Sequence, residues 1–307
     1  MKKAFTLIEL IMVIVILAIL SLIGTDIYVN VYKNYLSSKL VDETENKTQL
    51  ALDQIAARLS DRVKQATIGK RSTDTNDIAL VYSNTLSQNH DILEWIGQST
   101  QSRNLAAPNI DRSIGWTGFL DLGAYLETKR NPPNIAQIRI GGVLSNVRNI
   151  INTVSRGGSQ DLAMIFQGLS SGVDANGYGF RGDNPDKVMI FNIPAGGGSV
   201  AANVRYSGAQ ISDSYQIAHS AYAIVPVKDT TVTPNKTDLY LYYDYRPWMG
   251  QSYTDGRRSL LVENVTLFRF RGFSASGVDL KLCVDAKAED SGVTDNRFVV
   301  CKSKVVF

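Results

Sequence analysis

The chain has 307 residues, of which 44% are hydrophobic and 20% are charged, a balance typical of a protein that folds around a core and not of a disordered one. Its formal net charge of +3 gives no electrostatic case for binding nucleic acid or an anionic surface. Its two cysteines, Cys283 and Cys301, are too few for a disulfide scaffold or a four-cysteine zinc site, although one bridge can form in an oxidising compartment.

An apolar segment begins close to the N-terminus. Residues 5–24 contain a single charge, Glu9, and two lysines, Lys2 and Lys3, precede them. Such a segment is about 30 Å long as a helix, which is enough to cross the hydrocarbon core of a bilayer. Because cationic flanks stay in the cytoplasm, we expect a single membrane pass with the rest of the chain outside.

A secretory signal peptide and a plain signal anchor are the ordinary alternatives for this segment. A signal peptidase site needs small residues spaced as A-x-A after the apolar stretch, whereas Ala18 is followed by Ile19 and Leu20. A carboxylate such as Glu9 costs about 2.5 to 3.5 kcal/mol at the bilayer centre, and a plain anchor gains nothing from it. Both details indicate that the segment has a further role.

The residues at the start of this segment carry a family resemblance. A KKA sequence followed by FTLIEL at residues 5–10 resembles the class III prepilin signal of type IV pilins and type II secretion pseudopilins. The resemblance implies that a prepilin peptidase cleaves between Ala4 and Phe5 and N-methylates Phe5. It also implies that the carboxylate of Glu9 pairs with the N-terminal amine of a neighbouring subunit, which lowers the cost of both charges in lipid.

The same resemblance implies partners and a location. The expected partners are other pilin or pseudopilin subunits, the prepilin peptidase and the assembly platform of the inner membrane, while nucleic acid is not an expected partner. The subunit would be stored in the inner membrane and then enter a pilus or pseudopilus. The chain departs from the family where Ala4 replaces the usual glycine and Asp26 the frequent proline, which leaves Gly24 as the weakest point of the helix.

Helical periodicity continues past the apolar segment. There is no proline from residue 24 to residue 68, and the pattern predicts one helix over residues 5–68, about 95 Å long, with an amphipathic part at 25–68. The stretch 42–49 is polar all round, which predicts a solvated or interprotomer segment. The run LSDRVKQA at 59–66 resembles J-type pseudopilins and W-type minor pilins, but a solvated face carrying Arg58, Arg62 and Lys64 explains it equally.

Residues 69–307 change to short apolar runs separated by Gly, Asn, Asp and Pro, which predicts strands. The expected fold class is therefore α+β, with a long N-terminal transmembrane helix followed by an antiparallel β-sheet head. We expect one extracytoplasmic head, enlarged by an insertion at about 95–180. The predicted strands cover residues 78–82, 135–140, 188–193, 221–227, 239–245, 259–273, 278–284 and 298–307.

The last two predicted strands form a closing hairpin that contains both cysteines. Antiparallel pairing can bring Cys283 and Cys301 within bridging distance, while two buried free thiols remain the alternative. The family resemblance implies a disulfide that fixes the C-terminal loop.

Ser170 is the best candidate for catalysis. It lies at the centre of a G-x-S-x-G pattern at 168–172, after a plausible strand at 162–166, and aspartates and His219 follow in the order of a hydrolase triad. A nucleophile elbow requires a helix immediately afterwards, but residues 173–179 are typical of a turn. A signal-anchored extracytoplasmic hydrolase is therefore retained only as the alternative to a structural role.

A glycine-rich loop carries four oxygen-bearing side chains, Asp174, Asn176, Asp183 and Asp186. Their spacing is loosely that of calcium ligands, but Pro185 stands where an EF-hand loop has glutamate. Solvated turn residues are the alternative, as they are for the acidic stretch at 285–295. No other cofactor is expected.

Basic and aromatic residues alternate in the run FRFRGF at 268–273. This alternation favours either stacking on single-stranded nucleic acid, as in a DNA- or surface-binding tip adhesin, or an ordinary half-exposed strand. Taken together, the sequence predicts a non-enzymatic structural subunit, and the large head suits a minor subunit.

Overall fold

The computed structural model describes residues 7–104, 114–120, 140–168, 176–182, 185–195, 201–205, 211–229, 236–273, 276–286 and 298–307. A long helix leads into a head of antiparallel sheets. The predicted α+β class is therefore confirmed.

Helix α1 (Leu7–Ser60) has 54 residues and is about 80 Å long. It ends eight residues before the predicted end at residue 68, because strand β1 begins at Arg62. Val63 and Ala66 continue the helical spacing of Leu59, but residues 66–70 are buried without interruption. Continuous burial is the pattern of a strand covered on both faces, and tertiary packing decides the conformation here.

Two shorter helices and thirteen strands follow α1 in the described residues. The helices are α2 (Thr100–Asn104) and α3 (Leu144–Val154). The strands are β1 (Arg62–Arg71), β2 (Asp74–Leu80), β3 (Ile92–Gly97), β4 (Leu162–Phe166), β5 (Val188–Asn192), β6 (Ala201–Arg205), β7 (Tyr215–Ala218), β8 (Ser220–Asp229), β9 (Lys236–Tyr245), β10 (Arg257–Val262), β11 (Val265–Phe273), β12 (Gly277–Ala286) and β13 (Phe298–Val306).

The strands form three antiparallel sheets. A six-stranded sheet has the order β10-β9-β8-β3-β1-β2, a four-stranded sheet the order β6-β5-β4-β7, and a three-stranded sheet the order β11-β12-β13. The predicted strand at 259–273 is two strands in different sheets. The break falls at Glu263 and Asn264, and Asn264 has φ of 57°, a left-handed conformation that asparagine tolerates better than most residues.

Three apolar clusters hold these layers together. The six-stranded sheet packs one face on the four-stranded sheet, with Ile68, Ala223 and Ile165 among the contacts. Its other face packs on the C-terminal half of α1 and on the three-stranded sheet. The outer face of the four-stranded sheet packs on α3. The head is therefore four layers deep, with the six-stranded sheet inside.

A buried ion pair interrupts the cluster between the two larger sheets. Lys70 Nζ lies 3.0 Å from Glu94 Oε2, and the two side chains are 3% and 1% exposed. The Tyr245 hydroxyl donates to Glu94 Oε1 at 2.9 Å, and Lys70 also donates to the Phe180 carbonyl. Burial raises the pKa of Glu94, which Lys70 opposes. A charge in this position is tolerated because it is both paired and hydrogen-bonded.

Candidate assembly helix and its support on the head

The N-terminal part of α1 projects from the head. Every described residue from 7 to 35 is exposed, and the first fully buried residue of the helix is Thr44. Within the described part of the chain, α1 is the helix long and apolar enough to cross a membrane. Its large exposed apolar side chains are Leu, Ile, Val and Met, joined beyond residue 27 by three tyrosines, and the aliphatic ones suit a lipid or helix-packing environment better than water.

Glu9 lies in the first turn of the described helix and is exposed. An acidic side chain in this turn is favoured by the positive end of the helix dipole. Ala4 and Phe5, the residues of the predicted cleavage and methylation site, lie outside the described residues.

Gly24 and its neighbours mark the end of the apolar segment. A Cβ at Gly24 would meet no atom within 4 Å, so no close contact in the described structure requires glycine there. The Thr25 hydroxyl donates to the Ser21 carbonyl one turn earlier, and the rings of Tyr28 and Tyr32 stack at 6.4 Å. Helix α1 is continuous through Gly24, and a weak point of the helix at this residue stays a prediction.

Arg62 joins the end of α1 to the C-terminal strand. Its side chain is 2% exposed, so the interpretation of a solvated face carrying Arg58, Arg62 and Lys64 is wrong for Arg62, whereas Arg58 and Lys64 are exposed. The guanidinium donates to the Leu59 carbonyl at 2.7 Å, to the Tyr82 hydroxyl at 3.2 Å and to the Ser276 carbonyl. It also donates to the Val306 carbonyl at 3.3 Å. One buried cation thus satisfies carbonyl groups from the end of α1 and from the C-terminal part of the chain.

Two ion pairs hold the middle of α1 against β13. Lys302 Nζ lies 2.6 Å from Glu45 Oε1, and Lys304 Nζ lies 2.5 Å from Asp53 Oδ1. The hydrogen bond from Lys304 lowers the pKa of Asp53, with a further contribution from Gln49. The stretch at 42–49, predicted to be solvated or interprotomer, is therefore partly packed against the head, since Thr44 and Thr48 are buried as well. Sequence reasoning missed this contact, although a signal for it was present. Glu45 and Asp53 lie on one helix face, and Lys302 and Lys304 are two residues apart and so lie on one face of a strand.

Cys283 and Cys301 form a disulfide with an S–S distance of 2.12 Å. They face each other in the register of β12 and β13. The bond therefore links the strand that contacts α1 to the centre of the three-stranded sheet.

Only part of the candidate catalytic set lies within the described residues. Ser170 lies outside the described residues. His219 is buried, and its Nδ1 lies 3.0 Å from the hydroxyl of Ser99, which is 1% exposed. Burial, with the nearby charge of Arg246, lowers the pKa of His219 to about 4. His219 therefore has a neutral, packed environment and a structural hydrogen bond.

Two of the four candidate calcium ligands lie within the described residues. Asp174 and Asp183 lie outside the described residues, whereas Asn176 begins a short 3-10 turn and Asp186 lies nearby. Within the described ranges, no group of three or more His, Cys, Asp and Glu side chains is placed to hold a metal ion. A structural calcium ion stays a prediction.

The run FRFRGF at 268–273 lies in β11, which is an ordinary half-exposed strand, as the second of the two interpretations of this run predicted. Phe268 and Phe270 are buried in the cluster beneath α1, with 5% and 9% exposure. Arg269 and Arg271 point outward. Because these two rings are covered, they offer no face on which a base can stack, whereas Phe273 at the end of β11 is 50% exposed.

An exposed apolar helix followed by a β-rich head fits a membrane-anchored protein. The prokaryotic N-terminal methylation motif matches residues 1–25 of this chain. The chain therefore carries the N-terminal signature of type IV pilins and pseudopilins, and the predicted resemblance is confirmed at that level, without a J-type or W-type assignment. No curated protein and no solved structure matches the chain.

Proposed function

We propose that this chain is a minor structural subunit of a type IV pilus or a type II secretion pseudopilus, assembled through α1. The observation that carries the proposal is the exposed apolar arm of residues 7–35, which is continuous with the methylation motif and fixed to the head only beyond it. In this proposal the protein has a structural role and is not an enzyme.

The arm has two successive environments in this proposal. The subunit is first stored in the inner membrane in a single pass, with Lys2 and Lys3 in the cytoplasm and the head outside. The assembly platform then moves it into a filament, where arms of neighbouring subunits bury each other's apolar side chains. Glu9 selects the register, because its carboxylate pairs with the methylated amine of Phe5 on a neighbour.

Processing provides the first test. Intact mass and N-terminal sequencing of the membrane-extracted protein should give methyl-Phe5 in cells with prepilin peptidase and Met1 in cells without it. Retention of Met1 in both strains, or cleavage after residue 20, would contradict the proposal.

A charge-removing variant tests the assembly step separately. Glu9→Gln should enter the membrane normally but be lost from the sheared filament fraction. Glu43→Gln is the matched control, since this exposed acid lies on the same helix and makes a surface ion pair with Lys39 at 3.8 Å. Equal recovery of both variants in filaments would exclude the role of Glu9.

A further inference from the structure

A groove of about 840 Å³ lies between the edge of the three-stranded sheet and one end of the six-stranded sheet. One wall consists of residues 265–269 of β11, and another consists of residues 225–228 of β8. Successive side chains of a strand point to opposite faces of its sheet. A wall made of consecutive residues therefore presents the edge of the strand, with its backbone groups, and not one of its faces.

Within the described part of the head, the edge of β11 that faces away from β12 is open along most of its length. β11 is the outer strand of its sheet. Among the described residues, its backbone bond to another element on that side is from Gly272 N–H to the Val81 carbonyl at 3.1 Å. Residues 265–271 thus offer a row of N–H and C=O groups to a further strand.

The β8 wall is a weaker template. Pairing of β8 with β3 ends at Ile224 opposite Leu93, and β8 continues to Asp229. This part of β8 contains Pro226, which has no N–H to donate. A segment bound in the groove would therefore take its backbone hydrogen bonds chiefly from β11 and use β8 as a side wall.

The charge available in the groove is positive. Lys228 and Arg269 are exposed groove residues, and neither makes an ion pair within the described part of the chain. Asp91 also lines the groove, but it accepts hydrogen bonds from the backbone and the hydroxyl of Ser72, at 2.8 and 2.6 Å. Arg71 is held by Asp77 at 2.7 Å.

We propose that this groove binds an extended acidic segment of another protein, which adds to β11 as a fourth strand. A second copy of β11 is a poor occupant, because it would place Arg269 and Arg271 beside like charges. An acidic strand reverses that repulsion, since its carboxylates meet Lys228 and Arg269 while its backbone completes the sheet. The proposal concerns the head and does not depend on the assembly of α1.

Hydrogen exchange of the detergent-solubilised full chain tests this proposal. The probes are two peptides, acetyl-EVEVEV-amide and acetyl-KVKVKV-amide, which share strand propensity and differ in charge. The acidic peptide should slow amide exchange in residues 265–271, and the basic peptide should not. No slowing by the acidic peptide, equal slowing by both peptides, or slowing confined to other segments would overturn the proposal.

Charge reversal identifies the residues responsible. The double variant Lys228→Glu with Arg269→Glu should bind the acidic peptide about tenfold more weakly, the loss expected for two exposed ion pairs. Arg258→Glu is the control, because Arg258 is an exposed residue of β10 outside the groove and should leave the affinity unchanged. An equal loss in both variants would show a general charge effect and contradict the groove.

Discussion

Arg62 illustrates how a single side chain joins distant parts of this molecule. It is a buried cation whose described partners are carbonyl and hydroxyl groups from the end of α1, from Tyr82 and from the C-terminal strand. Removing it leaves several buried acceptors without a donor, which costs more than the loss of one hydrogen bond.

Arg62→Ala should lower the free energy of unfolding by about 3 kcal/mol, because the unsatisfied carbonyls remain buried. Arg62→Lys should recover part of that loss, since it retains the charge but not the planar fork of donors. Urea denaturation of the two variants checks this. The control is Arg269→Ala, an exposed residue that should change stability by no more than about 0.5 kcal/mol. An Arg62→Ala effect no larger than this control would show that water replaces the guanidinium.

His219 gives the head a predictable response to acid. Its pKa falls from 6.5 to about 4 on folding because burial disfavours the imidazolium. The unfolded chain therefore binds a proton that the folded chain does not bind between these pH values. Stability is retained above pH 6.5, decreases as the pH falls towards about 4 and levels off below it, with a total contribution of about 3 kcal/mol.

His219→Asn should remove this part of the pH dependence while keeping a hydrogen-bonding group near Ser99. The measurement is the difference in unfolding free energy between wild type and variant at several pH values, because carboxylates that titrate in the same range cancel in the difference. A difference that does not vary with pH would mean that the imidazole can be protonated in the folded head.

Individual strands were predicted best where the local sequence pattern agrees with the tertiary packing. The predicted strands at 188–193, 221–227 and 239–245 correspond to β5, β8 and β9, since each is an apolar run bounded by turn residues. The closing hairpin was predicted for the same reason. Strand β3 was not predicted, because its six residues are all buried and include Glu94, whose burial depends on Lys70.

The residue at which α1 ends and the burial of Arg62 depend on residues that are distant in the sequence. Helical spacing continued through Val63 and Ala66, so the sequence lacked a local stop signal before β1. The burial of Arg62 was unpredictable for a related reason, since its partners lie near residue 82 and at the C-terminus. The methylation motif and Glu9, by contrast, are contained in a contiguous stretch and needed no knowledge of the fold.

The disulfide stabilises the hairpin that contacts α1. Cys283 and Cys301 are separated by 18 residues, and closing a loop of this size stabilises the folded state by about 3 kcal/mol. Reduction should therefore lower the unfolding midpoint in urea. The double variant Cys283→Ala with Cys301→Ala should have the lower midpoint already and show no response to reductant. A midpoint that reductant does not change in the wild type would mean that packing alone holds β13.

Helix α1 has two parts, an N-terminal arm that the head does not need for its stability and a C-terminal segment that it does need. Residues 7–35 are exposed throughout, whereas Leu52, Ile55 and Leu59 are almost fully covered in the cluster beneath the six-stranded sheet. The boundary between anchor and head therefore lies within one continuous helix.

Deletion of residues 1–28 should give a water-soluble head whose free energy of unfolding changes by less than about 1 kcal/mol, because every described side chain that it removes, from residue 7 onward, is exposed. Deletion of residues 1–56 should leave no cooperative unfolding transition, since it removes four core residues, of which Leu52 and Ile55 are large and are each worth about 1.5 to 3 kcal/mol. Urea titrations followed by tryptophan fluorescence check both. Equal stability of the two truncated chains would place the whole helix outside the cooperative unit.

The route by which α1 meets the head also determines how the subunit bears tension. A pull on the arm reaches the head covalently through β1, an inner strand bonded to β2 on one side and β3 on the other. It also reaches β13 through Lys302 and Lys304, and from there it passes into β12 through the disulfide. Force on the arm is thus shared between two sheets. Strand β10, by contrast, is bonded along one edge only in the described sheet. The head should therefore unfold at a higher force when it is pulled by the arm than when it is pulled by β10.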